Sequence, residues 1–175
     1  MRSKFIGGLA IVLLLAVGGC GYHTVNSASH IPAGVHTIAV PMFENRTQLP
    51  HLETMMTQDT ARELTARTTV AIVPKTGDAD AVLKGVILTE TALPLTYTSN
   101  STTTTTSSYV ITVTAKVTLT DAHGHVLFEN DNYSFRQVYE STEQLSSFIE
   151  EDSPALQRLA RDFAKAVVSD MLESF

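Results

Sequence analysis

The single cysteine is the residue of this sequence best suited to covalent chemistry, because a thiol is both a nucleophile and an acylation site. Cys20 directly follows Val17-Gly18-Gly19, at the end of an apolar stretch of about a dozen residues that begins at Phe5. Arg2 and Lys4 place positive charge before that stretch. This order of charged, apolar and small-residue regions is typical of a cleavable secretory signal. The apolar stretch is too short to span a bilayer, which needs ~20 residues.

The position of Cys20 resembles the lipobox of bacterial lipoproteins, in which one aliphatic and two small residues precede an acylated cysteine. The resemblance implies that residues 1–19 are a signal peptide and that Cys20 is the lipid attachment site, carrying acyl chains such as palmitate. An ordinary secretory signal with an incidental cysteine is the alternative. Acylation consumes the thiol, which excludes disulfides and thiol catalysis within the chain. Gly21 replaces the Asp of the inner-membrane retention signal, which favours an outer-membrane lipoprotein facing the periplasm.

Composition excludes further classes of protein. Without Arg2 and Lys4, ten basic residues stand against 18 acidic ones, a formal charge of −8. Nucleic-acid-binding surfaces are basic, so no nucleic-acid partner is expected. No second apolar stretch is long enough for a membrane span. We therefore expect one periplasmic domain at residues 35–175, joined to the lipid by a tether at residues 20–34.

No motif for catalysis, cofactor binding or metal binding is found in the sequence. A phosphate-binding glycine loop, a nucleophile elbow and a convincing triad order are all missing. The histidines include no helical pair at four-residue spacing and have no nearby cysteine pair, so surface histidines are expected rather than zinc ligands. They are His23, His30, His36, His51, His123 and His125. We therefore expect a protein that is not an enzyme and has no cofactor.

Hydrophobic periodicity predicts the secondary structure. Strands are predicted at residues 35–40, 70–73, 81–98, 109–120 and 126–137, and helices at residues 49–68 and from Pro154 onward, with a shorter helical piece from Ser141. Residues 109–120 alternate apolar and polar side chains, which predicts a half-buried antiparallel strand. Residues 81–88 are nearly continuously apolar, as in a central strand or one covered on both faces.

The order of these elements favours an α+β fold. A single sheet needs helices to cover a face. We therefore predict a two-layer sandwich, in which a mixed, mostly antiparallel sheet carries two amphipathic helices on one face.

Four segments resemble the lipopolysaccharide-assembly lipoproteins of the LptE family, in order and in spacing. They are Cys20-Gly21-Tyr22-His23, residues 31–41, the pattern Phe43-x-Asn45-x-Thr47, and the pattern Asp80-Ala81-x-Leu83-x-Gly85-x-Ile87. The resemblance implies a non-enzymatic plug inside the barrel of the translocon protein LptD, which helps that barrel assemble and contacts lipopolysaccharide. It also implies a small sheet with two helices on one face.

This sequence departs from the family where some members carry basic residues. The Ser/Thr tract at residues 99–108 contains no Lys or Arg, and Glu150, Glu151 and Asp152 precede the last helix. No lipopolysaccharide contact is therefore transferred to a residue of this chain. The tract is expected to be a solvated hairpin tip, with sugar binding or contact with a barrel lumen as the alternative.

Two further alternatives remain. Residues 38–45 also resemble curli-type secretion lipoproteins that assemble into rings, although the threonine-rich strand lacks the apolar band of a membrane-spanning hairpin. Lys84, Lys116 and Arg136 fall on predicted strands, where they would form a basic patch if aligned. Scattered charges that protect a sheet edge are the favoured interpretation.

Overall fold

The computed structural model describes residues 31–32, 34–99, 104–140 and 154–175. The fold is mixed α+β, with one six-stranded sheet and two helices. Its strands are β1 (Thr37–Ala39), β2 (Glu44–Asn45), β3 (Ala71–Val73), β4 (Ala81–Ser99), β5 (Thr104–Asp121) and β6 (Val126–Glu140). Its helices are α1 (Leu52–Arg67) and α2 (Pro154–Glu173), and a 3-10 turn covers Thr76–Asp78. Cys20 and the helical piece predicted from Ser141 lie outside the described residues.

The sheet combines a short parallel part with a long antiparallel part. The strand order is β3-β1-β4-β5-β6, and β2 pairs with β4 beside this path. β1 is parallel to β3 and β4, and β2 is parallel to β4, whereas β4, β5 and β6 are antiparallel. Asp80 ties the two parts together, because its Oδ2 accepts hydrogen bonds from the backbone N–H groups of His36 and Thr37, each at 2.8 Å.

The alternation in β5 gives the sheet two distinct faces. Five of its buried side chains belong to the core cluster that also contains residues of both helices. They are Ile111, Val113, Ala115, Val117 and Leu119. The intervening side chains from Thr112 to Thr120 are half-buried. The prediction of a half-buried antiparallel strand is confirmed, and we call the two sides the core face and the outer face.

Burial in β4 follows from its central position. Leu83 and Ile87 are fully buried, while Val82, Val86 and Leu88 are half-buried rather than exposed. Neighbouring strands on both sides shield this part of β4, which explains its nearly continuous apolar sequence.

A tight aromatic contact joins the loop after β1 to the sheet. Phe43 packs edge-on against Phe163 of α2, with ring centroids 6.1 Å apart, and its N–H donates to Thr57 Oγ1 of α1 at 3.0 Å. The Phe43 ring lies directly over Gly85 of β4. A Cβ at Gly85 would stand only 2.5 Å from a ring carbon. Glycine is therefore the residue that lets this ring close on the strand.

Several element boundaries differ from those predicted. α1 begins at Leu52 rather than residue 49, after His51 in the left-handed conformation (φ 63°). The strand pair β4 and β5 extends to Ser99 and Thr104, so residues 99 and 104–108 of the Ser/Thr tract are strand rather than hairpin tip. β2 was not predicted, because two polar residues give no hydrophobic signal. No helix in the described part of the chain is long and apolar enough to cross a membrane.

Candidate partner-binding surface

The outer face of β4, β5 and β6 presents polar side chains from all three strands. Directly paired residues share a face of a sheet, so the register defines rows across the three strands. One row is Thr89, Thr114 and Ser134, and the next is Thr91, Thr112 and Arg136. The hydroxyl oxygens of Thr89 and Thr114 are 2.5 Å apart, so one donates to the other. This surface offers hydroxyl groups on short side chains.

The three basic residues predicted on strands share the outer face but form no common patch. Lys84 pairs with Thr118, and Arg136 pairs with Thr112 at a distant position along β5. Neither forms an ion pair among the described residues. Lys116, between them, forms ion pairs with Asp131 at 2.5 Å and Glu129 at 2.8 Å.

The ion pairs of Lys116 neutralise the middle of the outer face. The hydrogen bond to Asp131 is the main cause that raises the pKa of Lys116, and the bond to Glu129 adds to it. The same lysine lowers the pKa of Asp131. Because one cation meets two acids here, this part of the surface does not attract phosphate groups.

Two of the described histidines lie in a turn that is organised by hydrogen bonds to Asp121. His123 and His125 lie in the turn between β5 and β6, where Asp121 Oδ1 accepts both of their backbone N–H groups at 2.8 Å. The ring of His125 places Nδ1 2.9 Å from Asp121 Oδ2. Among residues 31–32, 34–99, 104–140 and 154–175, no three His, Cys, Asp or Glu side chains are placed to hold a metal ion.

Glu90 is an ionisable side chain that the sequence did not single out. It pairs with Val113 and therefore lies on the core face, half-buried. Burial raises the pKa of its carboxyl group. Within the described part of the chain it has no hydrogen-bond partner. The sequence pattern does not reveal that Glu90 lies on the core face, because this placement depends on a shift in strand register.

The fold assigns this protein to a structural class. It is a small α+β domain with an extended, hydroxyl-bearing strand face, and a solved lipoprotein shares this fold. The solution structure of an uncharacterized lipoprotein B from Nitrosomonas europaea is 12% identical, with a TM-score of 0.51 over 77% of this chain and 80% of that chain. This likeness shows the fold alone.

Two further solved structures match with lower TM-scores. The rare lipoprotein B from Shewanella oneidensis is 12% identical, with a TM-score of 0.49 over 79% of this chain and 95% of that chain. A minor lipoprotein from Acinetobacter baumannii is 17% identical, with a TM-score of 0.47 over 79% of this chain and 92% of that chain. Comparison with curated protein sequences gives no match.

The family follows from a direct sequence match. The LptE family, described as lipopolysaccharide-assembly, matches residues 35–171. The chain belongs to this family. The resemblance found in the sequence is thereby confirmed, and the match covers both helices nearly completely and all six strands.

Proposed function

We propose that this chain is an outer-membrane lipoprotein that plugs the barrel of LptD and helps that barrel to assemble for lipopolysaccharide transport. The family match over residues 35–171 is the observation that carries the proposal. The mechanism is binding without chemistry: the lipid anchor concentrates the domain at the membrane, and the domain then occupies the lumen.

The proposed organisation has three parts. Residues 1–19 are the signal peptide, residues 20–34 are a lipidated tether that begins at Cys20, and residues 35–175 are the periplasmic domain. A tether of 15 residues reaches at most ~50 Å when fully extended. Because that length exceeds the ~40–45 Å of a whole bilayer, the tether does not limit where in a barrel the domain lies.

We also propose that both helices cover the core face, which leaves the outer face for the partner. The common core cluster supports this arrangement, because it combines residues of α1, α2 and the core face of β5. The outer face is suited to a polar barrel lumen, since its hydroxyl groups and neutralised lysine present hydrogen-bonding groups with little net charge. Lipopolysaccharide remains the cargo of the assembly in this proposal.

Purification from detergent-solubilised outer membranes tests the proposed function. The full lipoprotein should recover a large β-barrel protein in equal amount, and mass spectrometry should identify that protein as LptD. A matched sample with Cys20→Ala should recover much less, because the anchor is lost. Recovery of a ring formed only by copies of this chain would contradict the plug and support the alternative secretion assembly.

A further inference from the structure

Met42 presents a thioether sulfur at the surface of the domain. It lies in the loop between β1 and β2 and is 61% exposed. The other methionines of the described chain are shielded, because Met55 is half-buried and Met56 and Met171 are 0% exposed. Met42 does not belong to the core cluster, which contains Met56 and Met171. An oxidant in solution therefore reaches the sulfur of Met42 far more readily than the other three.

Two threonines of α1 adjoin this sulfur. Met42 Sδ lies 3.9 Å from Thr54 Oγ1 and 3.8 Å from Thr57 Oγ1. A hydroxyl has one proton, and Thr57 donates it to the backbone carbonyl of Glu53 at 2.5 Å rather than to the more distant sulfur. Thr57 Oγ1 also accepts the N–H of Phe43 at 3.0 Å. Thr54 has no other hydrogen-bond partner within the described residues, so its hydroxyl is the donor available to the sulfur.

The position of Thr54 suits the oxidised side chain better than the reduced one. A thioether sulfur is a weak hydrogen-bond acceptor, whereas oxidation to a sulfoxide adds a polar oxygen. An oxygen bonded to sulfur and directed at Thr54 would occupy the 3.9 Å gap and come within the ~2.5–3.0 Å of an O–H···O hydrogen bond. The same oxygen on Met56 or Met171 would lie inside the core cluster, where a new polar atom is costly.

We propose that Met42 is an oxidation site, at which a peroxide converts the thioether to a sulfoxide whose oxygen accepts a hydrogen bond from Thr54. A sulfur lone pair attacks one peroxide oxygen, so that the S–O bond forms as the O–O bond breaks. Sulfur loses two electrons, the peroxide gains them, and the proton of the transferred oxygen passes to the departing hydroxide to give water. Methionine sulfoxide reductases reverse the change. In that step two thiols are oxidised to a disulfide, and the oxygen leaves as water.

Limited oxidation of the full lipoprotein in detergent by hydrogen peroxide tests the site. Peptide mass spectrometry measures the rate at each methionine. We expect Met42 to react at least tenfold faster than Met56 and Met171, and faster than Met55. Met42→Leu is the matched control, in which the fast reaction is lost and the rates at the other three methionines are unchanged. A rate at Met42 no higher than that at Met55 would overturn the inference.

The configuration of the sulfoxide tests the role of Thr54. Oxidation makes the sulfur a chiral centre, and each of the two kinds of methionine sulfoxide reductase accepts one epimer. A donor fixed on one side of the sulfur favours one epimer, so one reductase should remove at least threefold more of the Met42 sulfoxide than the other. Thr54→Val removes the hydroxyl and keeps the branched shape, and should bring this ratio close to one. Thr54→Ser keeps a hydroxyl and should retain the excess.

Thr65→Val provides a matched control on the same helix. The hydroxyl of Thr65 donates to the backbone carbonyl of Ala61 at 2.9 Å instead of to sulfur, so this change should leave the rate and the epimer ratio at Met42 unaltered. Equal amounts of the two epimers in the unaltered protein, or the same excess in Thr54→Val, would overturn the assignment of Thr54. These measurements use the lipoprotein alone, so their outcome is independent of the proposed function.

Discussion

Replacing Gly85 by alanine tests the packing of the core at a single atom. The added Cβ would lie 2.5 to 2.6 Å from three atoms of the Phe43 ring. Carbon atoms pack favourably at ~3.5–4.0 Å, so the ring would have to move by ~1 Å. Phe43 has little freedom to do so, because it is 3% exposed, contacts Phe163 and is bonded to Thr57 through its backbone.

The expected loss of stability follows from two opposing terms. Overpacking a well-packed core costs ~1–3 kcal/mol. Alanine recovers ~0.5–1 kcal/mol of the free energy that glycine loses within a strand. We therefore expect Gly85→Ala to lower the free energy of unfolding by ~1–2 kcal/mol. At ~2–4 °C per kcal/mol for a chain of this size, the Tm falls by ~2–8 °C.

Thermal and urea denaturation of the full lipoprotein in detergent, followed by circular dichroism, measure this loss. Gly77→Ala is the matched control, because no heavy atom lies within 4 Å of a Cβ at Gly77. Combining Gly85→Ala with Phe43→Leu should destabilise by less than the sum of the single changes, because the smaller side chain relieves the overlap. The reasoning is refuted if Gly85→Ala matches Gly77→Ala, or if the two changes are additive.

Three further outcomes are expected. Hydrogen bonds from the backbone N–H of His36 and from Thr37 lower the pKa of Asp80 in the folded protein. The ionised Asp80 carboxylate therefore stabilises the fold fully above about pH 3.9, the ordinary pKa of Asp, and this stabilisation disappears as the pH falls through the lower folded-state pKa. Asp80→Asn should accordingly destabilise at pH 7 in urea denaturation, with a difference from the unaltered protein that shrinks in acid; a constant difference would contradict this. Tyr133→Phe removes the hydrogen bond that Tyr133 Oη donates to Asp170 Oδ2 at 3.0 Å, and should cost ~0.5–1.5 kcal/mol in the same assay; no measurable change would argue against that bond in solution. Cys20→Ala should abolish incorporation of an alkyne-labelled palmitate and leave an uncleaved precursor by mass spectrometry, whereas persistent labelling would place the lipid elsewhere.

The sequence predicts the elements whose periodicity is set by one buried face. β5 alternates because every second side chain contributes to the core, and α2 repeats apolar residues because one side of it is buried. β2 gives no such signal, since Glu44 and Asn45 join the sheet only through pairing with Val86 and Ile87. That pairing is a tertiary contact, which local sequence patterns do not encode.

The candidate surface could be predicted only in part, because it depends on strand register. The polar side of β5, including Lys116, follows from alternation alone. The row of Leu93, Val110 and Val138 does not, because the register shifts in both flanking strands before they reach this row. Each of these shifts reverses the faces of the residues that follow it.

Two of the register shifts, one in β4 and one in β6, divide the outer face into zones. They flank β5 at adjacent positions, beside Ala115 on the β4 side and between Ala115 and Val117 on the β6 side. On one side of this level, Lys116 and its acids make the outer face charged but neutralised. On the other side, the row of Leu93 and Val138 is apolar. This change of character along one strand face follows from where the register shifts fall, so it is set by strand pairing and not by the alternation of any single strand.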